Sequence, residues 1–293
     1  MKKYLGLASI IFVMLIWGST IVVTKVLVAD IPPLFFAFIR FLIASICLLP
    51  VFIFSKQTSI SHLKRSDYAY LTLMGLLGVT LFYIAFNISL MYTSASTGAL
   101  IQGFLPVAIA VLGVIFLKEK LNKFQITGIL LSTAGVAAVG FFTDGDQSGD
   151  SLKGNLLMIA AMICWAVYTI ISRKLDHINS LTVTCLSGFA GTVLLLPAGL
   201  IDLHNHGSTI FLSVNDWLAL IYLGAIASAL CYFLYNKALE TLPAAQVGNF
   251  LNLEPIVGVI TAFIFLHEQL TAIHITGSVC VLSGIIMSSI KRN

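Results

Sequence analysis

The strongest constraint on this chain is that much of it is written twice. Residues Leu230 to Ser288 repeat Leu81 to Val139 at one fixed offset of 149, without a gap. Aligning LFYIAFN (Leu81 to Asn87) with LCYFLYN (Leu230 to Asn236) brings Tyr83 onto Tyr232, Asn87 onto Asn236, Pro106 onto Pro255, Glu119 onto Glu268, Gly128 onto Gly277 and Gly135 onto Gly284. Chance does not hold one register through proline, glycine and acid alike. A weaker match at an offset of 148 joins YLGLASIIFVMLIW, ending at Trp17, to LKGNLLMIAAMICW, ending at Trp165. The chain therefore reads as two copies of one unit, residues 1–143 and 151–293, joined by the polar, glycine-rich TDGDQSGDS (Thr143 to Ser151).

Each copy is too apolar for water. Hydrophobic residues make up 59% of the 293 and charged residues only 10%, against about 25% charged in soluble domains, and mean hydropathy is +1.02. At about 20 apolar residues per crossing, the sequence predicts an all-α integral membrane protein of ten transmembrane helices. They fall at about 5–27, 33–54, 68–91, 95–117, 124–142, 154–173, 180–201, 216–238, 244–266 and 272–290. A β-barrel would alternate in polarity over segments of ~10 residues, and runs such as LASIIFVMLIW do not. Lys2 and Lys3 before an apolar run imitate a signal peptide, but the run is long and no small-residue cleavage site closes it. The five cysteines (Cys47, Cys164, Cys185, Cys231, Cys280) all fall in expected spans without CxxC spacing, so they read as small membrane hydrophobes.

Charge placement sets the expected topology. With the N-terminus inside, 13 of the 16 Lys and Arg residues fall on the cytoplasmic side. Lys25 and Lys153 lie outside and Arg40 lies within a span, which by the positive-inside rule puts both termini in the cytoplasm of a cell-membrane protein. Five spans per copy is an odd number, so the second copy crosses in the opposite sense. The lysine-rich loop KEKLNK (Lys118 to Lys123) is then inside, and its repeat HEQLTA (His267 to Ala272), which lacks lysine, is outside. An inverted repeat of this kind is a common plan of secondary transporters, with a site near the midplane between the halves.

Trp17-Gly18-Ser19 with Lys25 on the first span, Arg40-Phe41 on the second, Leu253-Glu254-Pro255, and the paired endings LKEKLNKFQITG (Leu117 to Gly128) and LHEQLTAIHITG (Leu266 to Gly277) together resemble the EamA family of the drug/metabolite transporter superfamily. The resemblance covers essentially the whole chain. It implies efflux of amino acids, related metabolites or amphipathic drugs, by a proton-coupled or facilitated process. In one respect the copies differ: where the second has Glu254 before its proline, the first has Leu105. Any family role for that acid transfers to Glu254 alone.

The chemistry gathers around two prolines. Pro106 and Pro255 fall mid-span, and each deprives a preceding carbonyl, on Gln102 or Leu251, of its helical partner. Broken backbone at membrane depth is tolerated against protein or a water-filled cavity. Gln102, Gln246, Asn249 and Asn252 lie within about three turns of the prolines; at 100° per residue, Gln246, Asn249 and Glu254 share an arc of about 140° while Asn252 lies farther round, suited to helix packing. Glu254 is the one acid near mid-membrane, where a carboxylate costs at least a few kcal/mol unless paired, protonated or hydrated. Two readings stay open for it: a proton carrier, or a structural partner of Arg40 from the opposite face. Lys25 reads as an outer-end residue snorkelling to the interface.

Tyr83 with Asn87 and Tyr232 with Asn236 stand at i, i+4 on the third and eighth spans, each pair on one face. Trp17 with Thr20 and Thr24, and Trp165 with Tyr168 and Ser172, repeat the arrangement on the first and sixth. Such aromatics beside amide and hydroxyl groups suit the lining of a site for amphipathic solutes. The competing reading is an interfacial aromatic belt, which suits Tyr4, Tyr68 and Trp217 and fits Trp17 and Trp165 poorly, since they fall near the middle of their spans. Spans 1, 3, 4, 6, 8 and 9 are thus expected to surround a cavity that 2, 5, 7 and 10 buttress.

Enzymatic readings find no motif. His267-Glu268 begins like HExxH but has Thr271 where the second His belongs, and His204-Asn205-His206 reads as a solvated polar loop. No cofactor, metal or nucleic acid is implied, and nothing in the sequence specifies an oligomeric state. The expected function is a carrier of small organic metabolites working by alternating access. A membrane scaffold, a lipid-handling protein or a channel is the alternative, told apart by whether a central polar cavity is closed at one end, continuous, or dry.

Overall fold

The computed structural model describes residues 2–27, 31–55, 58, 60, 62–89, 91–92, 101–142, 152–206, 212–266 and 272–289. Among them no strand occurs, and the helices group into ten rods. In the first copy, α1 is Lys2–Leu27 and α2 is Pro33–Phe54. The third rod, α3, runs Arg65–Gly75, passes through a π-helical stretch Leu76–Leu81 and continues as Phe82–Ser89. Then come α4 (Leu105–Leu117) and α5 (Lys123–Phe142). In the second copy, α6 is Leu152–Lys174 and α7 is Ser180–His206. The rod α8 runs Val214–Ile221, is π-helical over Tyr222–Leu230 and resumes as Cys231–Leu239. The ninth, α9, is in two pieces, Ala244–Phe250 and Leu253–Leu266, and α10 is Ala272–Ser289. Five of these, α2, α3, α6, α7 and α8, are long and apolar enough to cross a membrane. Large side chains such as Ile53, Phe54, Ile115, Phe116 and Val193 face outward, as lipid in place of water requires.

The duplication is visible in the packing. Helix α1 rests on the second piece of α9 and on α8, and its counterpart α6 rests on α4 and α3. Helix α2 packs on α7 and on the π stretch of α8, while α7 packs back on α3. Helices α5 and α10 pair chiefly with each other, and α4 meets the first piece of α9. Exchanging the copies turns this set of pairings into itself. The α5/α10 seam shows it residue by residue: a Cβ on Gly128 would come within 2.5 Å of Gly284 O, and one on Gly135 within 2.7 Å of Gly277 O. These four glycines are the repeat pairs Gly128/Gly277 and Gly135/Gly284, and they let two backbones touch where lipid offers no hydrophobic drive for association.

Both copies also begin and break their helices alike. At the start of α3, Lys64 N donates to Asp67 Oδ2 (2.9 Å); at the start of α8, 149 residues on, Ser213 N donates to Asp216 Oδ2 (2.7 Å). Each acid satisfies a donor that a helix start otherwise leaves bare. Turns at 103–104 and 251–252 interrupt the fourth and ninth rods, so Pro106 and Pro255 sit in the first turn of the helix that follows, where a missing N–H costs nothing. Across the break, Leu251 O accepts from Glu254 N at 3.1 Å.

Acids from elsewhere in the chain cap three other helix starts. Asp202 Oδ2 accepts from Leu34 N (2.7 Å), and Glu240 Oε1 accepts from Ser180 N (2.6 Å). Glu119 spans the two copies, its Oε1 accepting from Ala244 N (2.7 Å) and its Oε2 from Ala245 N (3.2 Å). Lys118, in the left-handed region at φ 55°, ends α4 and turns the chain so that Glu119 reaches α9. His204-Asn205-His206 is the last turn of α7, not the polar loop expected from the sequence; the helix simply outlasts its apolar run. The expected positions 93–100, Thr143 to Ser151 and 267–271 lie outside the described residues, as does the Lys25 side chain.

Candidate functional site

The centre of the interface between the copies is aromatic, and its frame is the pair of π stretches. An i→i+5 turn shifts carbonyls out of the helical ladder and leaves them free to accept from elsewhere. In α3 the freed group is Gly78 O, which accepts from Tyr232 Oη at 2.9 Å. In α8 it is Ala227 O, 149 residues on, which accepts from Trp17 Nε1 at 2.8 Å. Each bond crosses from one copy to the other. The π stretches thus convert two main-chain defects into two cross-links.

Around them the rings pack on one another. Trp17 stands 5.3 Å from Trp165 and 5.9 Å from Tyr232, both edge-on. Trp165 stacks on Tyr168 at 5.1 Å and meets Tyr232 edge-on at 5.4 Å. Phe41 joins Tyr83 (4.8 Å) to Tyr232 (5.7 Å), and Phe82 lies 5.1 Å from Trp165. Edge-to-face contacts at these separations are the favoured geometry for rings carrying a quadrupole. All five aromatics singled out from the sequence, Trp17, Tyr83, Trp165, Tyr168 and Tyr232, meet here. Tyr235 belongs with them, its hydroxyl 2.7 Å from Thr169 Oγ1. It could have been found, because it stands within the repeated LCYFLYN, one position before Asn236.

Arg40 enters this cluster from α2 and is 5% exposed. Its Nε donates to Ser228 Oγ in the π stretch of α8 at 2.7 Å. Its guanidinium lies 5.2 Å from the Tyr83 ring centre and 5.9 Å from that of Phe41, a cation–π contact worth about 2 kcal/mol when desolvated. Glu254 stands in the first turn of the second piece of α9. Gly18 of α1 packs against its carbonyl and against Val257, where a Cβ would approach within 2.7 Å of Glu254 O. Among the described residues Arg40 and Glu254 form no ion pair, so the structural-partner reading of Glu254 has no contact to support it in this conformation. Glu254 is a half-buried residue whose carboxylate bonds to no described residue.

The amides are elsewhere. Asn87 Nδ2 donates to Pro33 O at 2.9 Å, tying the end of α3 to the start of α2. Asn236 Nδ2 donates to Tyr168 Oη and Thr184 Oγ1, both at 2.9 Å, and its Oδ1 accepts from Ser172 Oγ at 2.6 Å. Asn249, expected on the site face, is fully buried on the far side, donating to Ser288 Oγ at 2.6 Å and accepting from Ser132 Oγ. Asn252 also reaches Ser132 Oγ, at 2.9 Å, as its helical angle suggested. The helical-wheel reading failed for Asn249 because the 251–252 turn breaks the 100° count between it and Glu254. Thr20 Oγ1 bonds its own backbone at Trp17 O (2.7 Å). Gln102 is half-buried in the helical residues that precede the 103–104 turn. Among the described residues Gln246 Nε2 and Trp165 Nε1 are buried without an acceptor at good hydrogen-bond geometry, with the Tyr235 ring 5.5 Å from that of Trp165.

A separate groove of about 310 Å³ lies between α4 and α5, lined by Val107, Val111, Val114, Ile126 and Leu130 among others. It is wholly aliphatic and outward-facing. Among the described residues no cluster of His, Cys, Asp or Glu is arranged to hold a metal ion.

Comparison with known proteins agrees with this architecture. A transporter of Bacillus subtilis, YetK, described as uncharacterized, is 31% identical over 99% of this chain and 89% of its own length. An uncharacterized transporter of Archaeoglobus fulgidus is 28% identical over 96% of both chains. A solved crystal structure superposes with a TM-score of 0.79 over 98% of this chain at 15% identity, which speaks for the fold alone. The EamA-like transporter family matches residues 4–141 and matches again over residues 152–290. A duplicated helical unit, outward apolar faces and these relatives lead to one statement: this multi-pass membrane protein belongs to the EamA-like transporter family.

Proposed function

We propose that the chain is an alternating-access carrier, most simply an exporter, of small organic metabolites such as amino acids or amphipathic drugs. Its two five-helix halves, inverted relative to one another, rock about the aromatic interface. The observation that carries this reading is the exchange symmetry of the packing. Contacts of α1 with α8 and α9 have exact counterparts in contacts of α6 with α3 and α4, so two states related by swapping the roles of the halves are both buildable from the same contacts. The 13 to 2 bias of basic residues supports ten crossings of the cell membrane with both termini cytoplasmic. Glu254 supplies a carboxyl for proton coupling. Purified protein in liposomes, offered a panel of amino acids and cationic drugs with and without a pH gradient, tests this: concentrative uptake of at least one solute is expected, and leak of all solutes at equal rates would mark a channel.

The lipid-handling reading draws on the aliphatic groove between α4 and α5. Movement of a fluorescent phospholipid between leaflets of the same liposomes, with no solute transport, would favour it.

A further inference from the structure

The groove between α4 and α5 owes its depth to small residues beneath larger ones. Ala110 and Ile129 form its floor, buried where they pack on Ala245 of α9. Val111 and Val114 of α4 and Ile126 and Leu130 of α5 rise on either side, each about half exposed, and Leu121 of the connecting turn lines the groove too. From Val107 to the end of α4 at Leu117 the helix rises about 15 Å. One leaflet of a bilayer is about 15 Å deep in hydrocarbon.

The turn that joins the two walls is basic. Lys118, Lys120 and Lys123 are exposed, before and after Leu121 in the chain, and among the described residues none of the three forms an ion pair. The acid between them does not offset their charge. Glu119 turns inward to cap α9 at Ala244 N and Ala245 N, and it lies against Gly113, where an added Cβ would come within 3.1 Å of Glu119 Oε2. An aliphatic channel one leaflet deep, with uncompensated positive charge at its mouth, is complementary to an acyl chain beneath a negatively charged headgroup. A second copy of this chain, itself at net charge +4, is the poorer electrostatic match. The second repeat does not keep the combination: it has His267, Gln269 and Ala272 in place of the three lysines, Val259 in place of Ala110 and Phe263 in place of Val114.

We propose that the α4/α5 groove is a binding site for one anionic phospholipid. An acyl chain lies along Val111, Val114, Ile126 and Leu130, and the headgroup phosphate sits on Lys118, Lys120 and Lys123, which act as point charges. The lipid is resident in the first copy and is not cargo, so the site goes beyond both readings of function above. Its headgroup steadies the turn that carries Glu119, and with it the cap that one copy places on the other. Each lysine beside an anionic headgroup is worth about fivefold in affinity.

The test uses the purified full-length protein in detergent, with phosphatidylglycerol and phosphatidylcholine of identical chains as probes, read by native mass spectrometry and thermal unfolding. The unmodified protein should retain one phosphatidylglycerol per chain, bound at least about tenfold more tightly than phosphatidylcholine, and should unfold at a higher temperature with it. Lys118→Gln, Lys120→Gln and Lys123→Gln together should bring phosphatidylglycerol down to the level of phosphatidylcholine. Val111→Trp, at a lipid-facing position, should fill the groove and weaken phosphatidylglycerol at least about tenfold with every lysine in place. Glycerol phosphate, which has the charge without the chains, should displace nothing. Equal binding of the two lipids by the unmodified protein overturns the site whether or not the variants fold. So does phosphatidylglycerol binding that Val111→Trp leaves unchanged, since lysines alone would then be attracting headgroups. Displacement by glycerol phosphate would reduce the site to one for small anions, and a dimer that Val111→Trp dissolves would assign the groove to a second copy; either result ends the proposal. Solute transport by the same preparation bears on the carrier reading alone.

Discussion

The first and second copies share a scaffold and differ in chemistry. Both place a π stretch in the third helix, a break before the proline of the fourth, an acid at the start of the third and glycines in the fifth. These are backbone features, and duplication preserves them because each is needed twice to make two halves that pack as mirror partners in sequence. The charged groups at the centre of the interface are not shared. Gly75 meets Ser187 O and Ala190 of α7, and Gly224 meets Arg40 O and Ile43 of α2, so Arg40 stands where the second copy has Ser187. Glu254 stands where the first has Leu105. The scaffold is thus repeated across the interface between the copies, and the charge placed in it is not.

The same contrast runs through the amides. Asn87 makes one bond, to Pro33 O, and Asn236 makes three to Tyr168, Thr184 and Ser172 within a fully buried cluster. At about 1 kcal/mol per bond, and more for partners left bare, Asn236→Ala should cost about 3 to 4 kcal/mol and Asn87→Ala about 1 kcal/mol. Thermal unfolding of the two variants in detergent checks this. Equal losses would mean that the copies are energetically equivalent and that the larger network on α8 carries no extra stability.

A smaller difference separates the two tryptophans. Trp17→Phe removes the cross-link to Ala227 O and should cost about 1 to 2 kcal/mol, leaving that carbonyl unsatisfied. Trp165→Phe removes an indole N–H that meets no acceptor at good hydrogen-bond geometry among the described residues, so beyond the lost ring area it should cost less, while binding of solute should weaken more. Unfolding and solute-binding midpoints measured side by side would separate the two effects. A Trp165→Phe variant less stable than Trp17→Phe would show that the indole N–H of Trp165 has a partner.

How much of this was legible beforehand depends on whether a feature follows from chain order or from three-dimensional register. The duplication, the break before each proline and the gathering of Trp17, Tyr83, Trp165, Tyr168 and Tyr232 follow from spacing alone, because residues at repeated positions on repeated helices converge at an interface between repeats. The π stretches did not announce themselves: Gly78 and Ala227 differ in type, and one inserted residue per turn leaves no mark on an apolar run. That hidden residue redirects the carbonyls and so decides which aromatics are cross-linked. Asn249 was misplaced for a related reason, since the turn at 251–252 resets the helical phase. Glu119 was visible as a repeated acid, but its task of capping α9 from the other copy depends on Lys118 turning the chain, which a lysine at that position does not advertise.

The smallest expected change in stability belongs to the residue with the largest expected change in function. Replacing Glu254 by leucine makes the two copies alike at this position, and replacing it by glutamine keeps the shape while removing the charge. Were Glu254 bonded to Arg40, either change would strand a buried cation and cost about 3 to 5 kcal/mol, and removing Arg40 as well would restore part of the loss. Arg40 is instead held by Ser228 and the Tyr83 ring. Glu254→Gln should therefore unfold within about 0.5 kcal/mol of the unmodified protein, as substitutions that break no contact do. The double change Arg40→Met with Glu254→Gln should be the less stable of the two, through the lost Ser228 and ring contacts. Transport by Glu254→Gln should lose its dependence on a pH gradient, since an amide exchanges no proton between the two faces. Thermal unfolding of both variants, beside transport with and without the gradient, decides the matter: a destabilised single variant rescued by the double would place the ion pair in a state other than this one. A stable single variant with unaltered gradient dependence would take proton coupling away from Glu254.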